Sequence, residues 1–471
     1  MKRLFILCLC LACLCSATAF GAADTGSPRI GDNSASTATI EMRSGITADI
    51  ALAQGSISKD QNAADIISAA SAKGNLLIAV NGGFFNAYYD RTPEDGYGKA
   101  ARCQVNLVRN GQAINGAAGD QTAIYLGFTQ YGKAMIDEVG ITLYVEFAGK
   151  KLPTWGVNYY YPDEPDSLLL FTPEAGADLP VPANAKAAKI VNGKVTEILT
   201  SGKMPCAANT YYFVCGGNLH DRLPAVGETV RFTTEFSKSA WNSVTTAVSC
   251  GPWLLHNGWN VFSENAKYSY LADQKISESA VAARTYAAIL SNGDLMVGAC
   301  TASPKQIIAY LLSIGAKDAM LLDGGASSML YANGKMLRNA GRKLNNVVCI
   351  YDSTPAVNVS VGGTAVQWTD AAPFIDANNR TMVPLRAVAE ALGLRVSWDG
   401  AKREASFTGN RKTLIFPIGS TNARTGDGKA ISMDTAAVIV GNRTYAPIRY
   451  LAEFFGYSVS WDGTSRTVII R

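Results

Sequence analysis

The sequence predicts an α+β fold in two parts, a mixed-sheet domain over residues 37–352 and a small duplicated α+β module over residues 353–471. Three observations predict it. Short apolar runs of strand character outnumber helical patterns and do not alternate with them, which argues against a regular βαβ order. At 471 residues the chain is longer than one core ordinarily fills, so more than one folding unit is expected. From about residue 356 the composition changes, and a pattern recurs at a constant offset of 63 positions.

Taken in order, Met1, Lys2 and Arg3 precede an apolar run, Leu4 to Cys15, and then Ala17-Thr18-Ala19. A basic start, an apolar stretch too short for a bilayer and a small-residue site predict a secretory signal over residues 1–22. Cleavage is expected near Ala19 or Ala22, and the rival reading is a lipoprotein built on Cys13 or Cys15. Residues 23–36 are small and polar and read as a linker. Strand patterns come next at 48–53, 76–80, 141–147, 229–233, 287–290 and 294–297. Apolar residues at helical spacing predict helices over 63–72 and 305–314. Pro304 stands at the start of the second, where a missing N–H costs nothing, and Gly315 follows where a left-handed cap is wanted.

A hydrophobic share of 48% against 17% charged residues excludes a mainly disordered chain. Net charge is +4, of which Lys2 and Arg3 supply two, and no basic block or basic helix stands out, so no nucleic-acid partner is expected. Four of the ten cysteines fall in the leader, leaving six. An even count in an exported chain permits disulfides, with Cys206 and Cys215 around the strand-like run Tyr211 to Val214 as the local candidate pair. The six lack a C-x-x-C pair, and only His220 and His256 are present in the chain, so structural zinc is not expected.

Four Gly-rich polar segments attached to apolar strands are candidates for chemistry. The first is Asn81-Gly82-Gly83-Phe84-Phe85-Asn86, whose glycines admit close backbone approach. The second is Cys250-Gly251-Pro252-Trp253, closed by Asn257-Gly258; either segment alone also fits a hairpin. In the third, Arg284 and Thr285 stand at the entrance of an apolar strand, where a guanidinium fork suits a pair of phosphate oxygens. The fourth, Asp323-Gly324-Gly325-Ala326-Ser327-Ser328, joins an acid to backbone N–H groups and paired hydroxyls, although Asp323 could also simply cap its turn.

In this order the four motifs resemble the phosphodiester glycosidase family over residues 48–351. Ala283 stands where many members have Pro before the arginine, Ala299-Cys300 replaces an Asp-Gly, and Ala326 replaces a third glycine. The arginine, the acid and both hydroxyls are retained. The resemblance implies a secreted glycosidase that hydrolyses a sugar 1-phosphodiester of the N-acetylglucosamine type in envelope or extracellular polysaccharide. Asp323 and Arg284 would be catalytic, the arginine facing the leaving phosphate and Asp323 serving as general base, nucleophile or stabiliser of positive charge on the sugar. Asn81, Gly82, Gly83, Phe84, Gly251, Thr285, Gly324, Gly325, Ser327 and Ser328 would line the substrate. Glu278 and Asp273 are candidate second carboxylates. No cofactor is assigned; of the metals, calcium is the one Asp323 and its neighbouring oxygens would suit, but a single acid falls short of the roughly 6–8 oxygen ligands it takes. The rival reading is a non-catalytic protein that holds cell-envelope polysaccharide, to which Tyr159, Tyr160 and Tyr161 would contribute aromatic faces.

In the tail, Arg380-Thr381-Met382-Val383-Pro384-Leu385-Arg386 and Val396-Ser397-Trp398-Asp399-Gly400 recur as Arg443-Thr444-Tyr445-Ala446-Pro447-Ile448-Arg449 and Val459-Ser460-Trp461-Asp462-Gly463. This resembles the amino-terminal stalk module of copper amine oxidases over residues 357–471. It implies a surface-protein module without copper chemistry, attaching the chain to a cell-envelope component. Pro384 and Pro447 are expected to start helices, and Trp398 and Trp461 to fill core.

Overall fold

The computed structural model describes residues 22–87, 100–117, 122–159, 166–176, 178–267, 276–354, 357–368, 373–376, 378–440 and 443–471. The expected signal segment up to Gly21, Asp273, and Tyr160 with Tyr161 lie outside them. Two compact units divide the chain, one of residues 23–354 and one carrying residues 355–471. The fold is α+β, with sheet predominating.

Three sheets share the interior of the first unit. A seven-stranded sheet includes Ser36–Ile40, Trp253–His256, Ala282–Leu290, Leu295–Ala302 and Ala316–Leu321. A five-stranded sheet includes Ile46–Leu52, Leu76–Asn81, Leu330–Ala332 and Asn346–Asp352. A twelve-stranded sheet includes Thr122–Thr129, Ala134–Phe147 and Val244–Cys250. It is mixed, because Gly156–Val157 runs parallel to Leu168–Phe171 among antiparallel neighbours. Side chains alternate along each strand, so Ile78, Val80, Ala287, Ile289, Leu126 and Val248 turn into one shared core. Burying an aliphatic side chain of this size contributes roughly 1.5–3 kcal/mol, which makes this core the main term fixing the sheets together.

The opposite faces are closed by helices. Ala63–Ser71 lays Ile66, Ile67 and Ala70 on Ala79, Val347 and Cys349 of the five-stranded sheet. Pro304–Ser313 lays Ile307, Ile308 and Leu311 on Tyr286, Ala288 and Leu321 of the seven-stranded sheet. The second helix begins with a reciprocal capping box between Ser303 and Gln306, and Gly315 follows it at φ +77°.

Several sequence expectations are corrected. Residues 23–36 are not a linker: Asp24–Gly26 pairs with the Ser36–Ile40 strand, and Ile30 and Ala35 are buried against Ile307 and Leu311. The strand expected over 287–290 begins at Ala282, so Arg284 lies inside it, paired with Cys300. The second segment does contain the hairpin it allowed, Trp253–His256 turning through Asn257-Gly258 onto Trp259–Asn260, whereas Gly251-Pro252 carries the chain from the twelve-stranded to the seven-stranded sheet. Cys206 and Cys215 are free thiols. Cys215 points into the core with Phe213, whereas Cys206 packs on the opposite face with Tyr212 and Val214, so strand alternation keeps them apart.

The second unit has its own core, including Val383, Leu385, Phe407, Phe416, Leu451 and Ile470. Thr381–Pro384 leads into the helix Leu385–Ala391 and the strand Arg395–Asp399. Arg443–Pro447 leads likewise into the helix Ile448–Phe454 and the strand Val459–Asp462. Trp398 and Trp461 do not fill this core; they are 45% and 42% exposed.

Candidate active site

Two strands from different sheets end side by side, and the site is built on their ends. Leu76–Asn81 belongs to the five-stranded sheet and Ala316–Leu321 to the seven-stranded one. Backbone bonds tie the strand ends together: Asp323 N–H donates to Gly82 O at 3.0 Å, and Leu322 N–H to Thr285 O at 2.9 Å. Asn81 is the clamp. Its Nδ2 donates to Asp323 O at 2.7 Å, and its Oδ1 accepts from Thr285 Oγ1 at 2.8 Å and Met329 N–H at 2.9 Å. Both Asn81 and Thr285 are buried with these groups satisfied, so they fix the geometry of the site.

The glycines at 82, 83 and 324 are dictated by close approach. A Cβ on Gly82 would stand 2.0 Å from Asn346 Oδ1, and one on Gly83 2.7 Å from Ser249 O. A Cβ on Gly324 would lie 2.9 Å from Ala283 O and 3.9 Å from Arg284 Cα and Cδ. The acidic turn is therefore seated directly against the arginine strand. Gly325 adopts φ +59° and opens to solvent, and Gly251 is buried at the crossover. Phe84 packs in the shared core, its carbonyl accepting Gln104 N–H at 2.9 Å.

Asp323 is half-buried in its turn, with Oδ1 accepting Gly324 N–H at 2.8 Å. Burial pushes its carboxyl up to about 6, against the opposing influence of the Ser327 hydroxyl, the Gly324 N–H and the Arg342 cation. Arg284 is 7% exposed. One terminal nitrogen donates to Ala280 O at 3.2 Å, while Nε is buried without a hydrogen-bond partner. No ion pair to Arg284 occurs among the described residues, and burial lowers its pKa from the usual arginine value. Ser327 Oγ approaches the carboxyl of Asp323 and favours its anion, yet neither Ser327 nor Ser328 Oγ has a hydrogen-bond partner of good geometry. An unmade buried hydrogen bond costs about 1–3 kcal/mol, so three orphan groups around one turn mark a place equipped to receive polar ligand atoms.

The sequence reading missed three contributors. Arg342 follows Gly341, whose N–H donates to Ala326 O at 2.7 Å, and it brings a cation to Asp323. Asn345 donates to the carbonyls of Ile57, Lys59 and Ala101, and Asn346 accepts Gly83 N–H at 2.8 Å. Two asparagines ahead of the apolar run Val347 to Tyr351 are the visible signal for them. Cys250 is buried near Asp323, whose charge adds to burial in raising its thiol pKa. Glu278 is exposed and brings no carboxylate to Asp323. Among the described residues no three His, Cys, Asp or Glu side chains group as a metal site.

The site thus belongs to a class in which a glycine-rich turn bearing an acid is seated against a strand that carries a buried arginine. Residues 185–351 match the family model described as phosphodiester glycosidase, and residues 360–470 match the copper amine oxidase N-terminal domain. The chain therefore joins a phosphodiester glycosidase-like domain to a copper amine oxidase N-terminal-like domain. Asn81, outside the first match, is bonded into it through Thr285, Asp323 and Met329. No curated protein matches the chain in sequence. Among solved structures, a hypothetical protein from Synechocystis has 19% identity and a TM-score of 0.53, covering 70% of this chain and 61% of its own, so the chain spans less than two thirds of that relative. A candidate exported protein from Burkholderia pseudomallei has 18% identity and a TM-score of 0.51, covering 68% of this chain and 74% of its own. These two share the fold. The catalytic domain of zebrafish N-acetylglucosamine-1-phosphodiester alpha-N-acetylglucosaminidase, auto-inhibited by its pro-peptide, covers 70% of this chain and 81% of its own at 12% identity. Its TM-score of 0.37 is too low to establish more.

Proposed function

We propose that the first unit is an extracytoplasmic phosphodiester glycosidase that hydrolyses a sugar 1-phosphodiester, of the N-acetylglucosamine type, in envelope or extracellular polysaccharide. One observation carries this reading: Arg284 is a buried cation with an unpartnered Nε, seated against the turn that holds Asp323 and two orphan hydroxyls. A guanidinium fork matches two non-bridging phosphate oxygens, and desolvation strengthens that pairing.

In the proposed reaction water adds to the anomeric carbon as the bond from that carbon to the phosphate oxygen breaks. The bonding electron pair leaves with the phosphate, which departs as a phosphomonoester stabilised by Arg284. Such a leaving group needs no proton, which suits a site where no second carboxylate acts on Asp323 among the described residues. Ionised above a pKa of about 6, Asp323 accepts the proton of the attacking water. Ser327 and Ser328 supply hydroxyls to sugar or phosphate oxygens, while Asn81 and Thr285 hold the frame. The amino-terminal sequence supports export, and among the described residues no helix is long and apolar enough to cross a membrane.

The test is a substrate panel: UDP-N-acetylglucosamine, the methyl phosphodiester of N-acetylglucosamine 1-phosphate, the corresponding phosphomonoester, and a neutral aryl N-acetylglucosaminide. Release of free sugar from a diester in preference to the neutral glycoside is expected. Preference for the neutral glycoside, or no diester cleavage, would overturn the reading.

A further inference from the structure

We infer that the second unit carries two quasi-equivalent grooves that bind an anionic polysaccharide, each through an exposed tryptophan flanked by arginines. The inference is independent of the chemistry at Asp323. It starts from Trp398 and Trp461, which the fold leaves 45% and 42% exposed although each lies on a strand of a compact unit. Each lines a surface cavity, of about 370 Å³ at Trp398 and about 560 Å³ at Trp461.

The two cavities are built alike. Met382 pairs with Pro447, Val383 with Ala446 and Pro384 with Tyr445. Adding 63 to 382, 383 and 384 gives 445, 446 and 447, so this ladder maps onto itself when the two segments are exchanged. One groove combines Pro384, Arg386, Ser397 and Trp398 with Arg443 and Thr444 from the other segment. The second combines Pro447, Arg449, Ser460 and Trp461 with Arg380 and Thr381. Even the indole edges agree: a Cβ on Gly400 or Gly463 would meet Nε1 of Trp398 or Trp461 at 3.5 Å in each case.

The charge of the grooves is positive and carried by arginine. Residues 355–471 hold ten arginines and three lysines against nine acids, a net of +4. The aspartates beside the tryptophans are committed to their turns. Asp399 Oδ1 accepts the N–H groups of Ala401 and Lys402, each at 3.0 Å, and Asp462 accepts Thr464 N–H at 3.0 Å and Ser465 Oγ at 2.6 Å. Arg386 makes no ion pair among the described residues, and Arg466, lining the second cavity, has a buried Nε without a partner. In the second groove Arg380 is paired with Asp434, and Arg449 lies 3.8 Å from Glu453.

An indole face takes the apolar face of a sugar ring, and a guanidinium takes a carboxylate or phosphate carried on that sugar. Two such grooves on one rigid unit favour a repeating polymer, because the second contact forms at high effective concentration. Such attachment would hold the enzyme unit on an anionic glycan.

The experiment is affinity gel electrophoresis of the full chain lacking residues 1–22, in gels containing polygalacturonate, phosphomannan, dextran or oligo(dT). Retardation by either anionic glycan but not by dextran is expected, and comparing the two identifies the preferred anion. Trp398→Ala and Trp461→Ala should each weaken retardation, and the double variant should abolish it. Phenylalanine at both positions should retain most of it, and thermal melts should be unchanged because both side chains are exposed. Equal retardation by dextran or oligo(dT), or wild-type retardation of the double alanine variant, would overturn the inference.

Discussion

On one side of the candidate site, Asn81 and Asn346 commit their amides to the backbone around Gly83, Asp323 and Met329. On the other, Arg284, Ser327 and Ser328 are equally buried, yet each keeps a polar atom without a partner. Desolvation is unfavourable on both sides, but only the first recovers it within the fold. The difference separates scaffold from machinery: groups satisfied by the fold should govern stability, and groups left wanting should govern turnover.

Substitutions that exchange these roles would break the comparison. The largest effect on turnover is expected from Asp323→Asn, with kcat for a sugar 1-phosphodiester falling about 10³- to 10⁴-fold. Arg284→Met should cost about 10²- to 10³-fold, concentrated on phosphodiesters relative to any neutral glycoside, as measured by released sugar. Asn81→Ala should instead lower stability by about 2–4 kcal/mol in denaturant unfolding, because it orphans the Asp323, Thr285 and Met329 groups together.

The pH dependence sharpens the same contrast. With Asp323 required as its anion, kcat/KM should rise with pH through an apparent value near 6 and then level off. The sign for stability is opposite. A carboxyl whose folded pKa lies above its unfolded value of about 3.9 contributes most below that value, and the contribution is lost as pH rises through about 6. Asp323→Asn should therefore be more stable than wild type by about 2 kcal/mol at pH 7.5, with the gap closing near pH 4 in matched thermal or urea melts. The smallest effects, up to about tenfold on kcat/KM, belong to Ser327→Ala and Ser328→Ala, each of which removes one neutral hydroxyl.

Much of the scaffold was legible because its signals are local. Pro304 and Gly315 announce a helix start and stop within a dozen residues, and Leu76 to Asn81 is a continuous apolar run ending in a polar turn. The convergence of Asn81, Arg284 and Asp323 was legible only as a set of motifs, since the strand pairing that joins them spans more than 200 residues. Arg284 reads as a strand entrance because an apolar run follows it; pairing from Ala282 onward draws it into the strand. Arg342 and Asn345 lie in a loop with no periodicity to expose them, and their roles come from distant carbonyls and a distant acid. Trp398 and Trp461 read as core because tryptophan is usually well buried, whereas here the turns at Gly400 and Gly463 hold their indoles at the surface.

The measurement that bears most directly on the central claim is sugar release from the methyl phosphodiester of N-acetylglucosamine 1-phosphate at pH 7.5 by wild type, Arg284→Met and Asn81→Ala, each first shown to be folded at the assay temperature. Turnover by wild type, its loss in Arg284→Met, and a smaller loss in folded Asn81→Ala is the predicted result. Undiminished turnover in Arg284→Met would contradict the assignment of Arg284 to the phosphate.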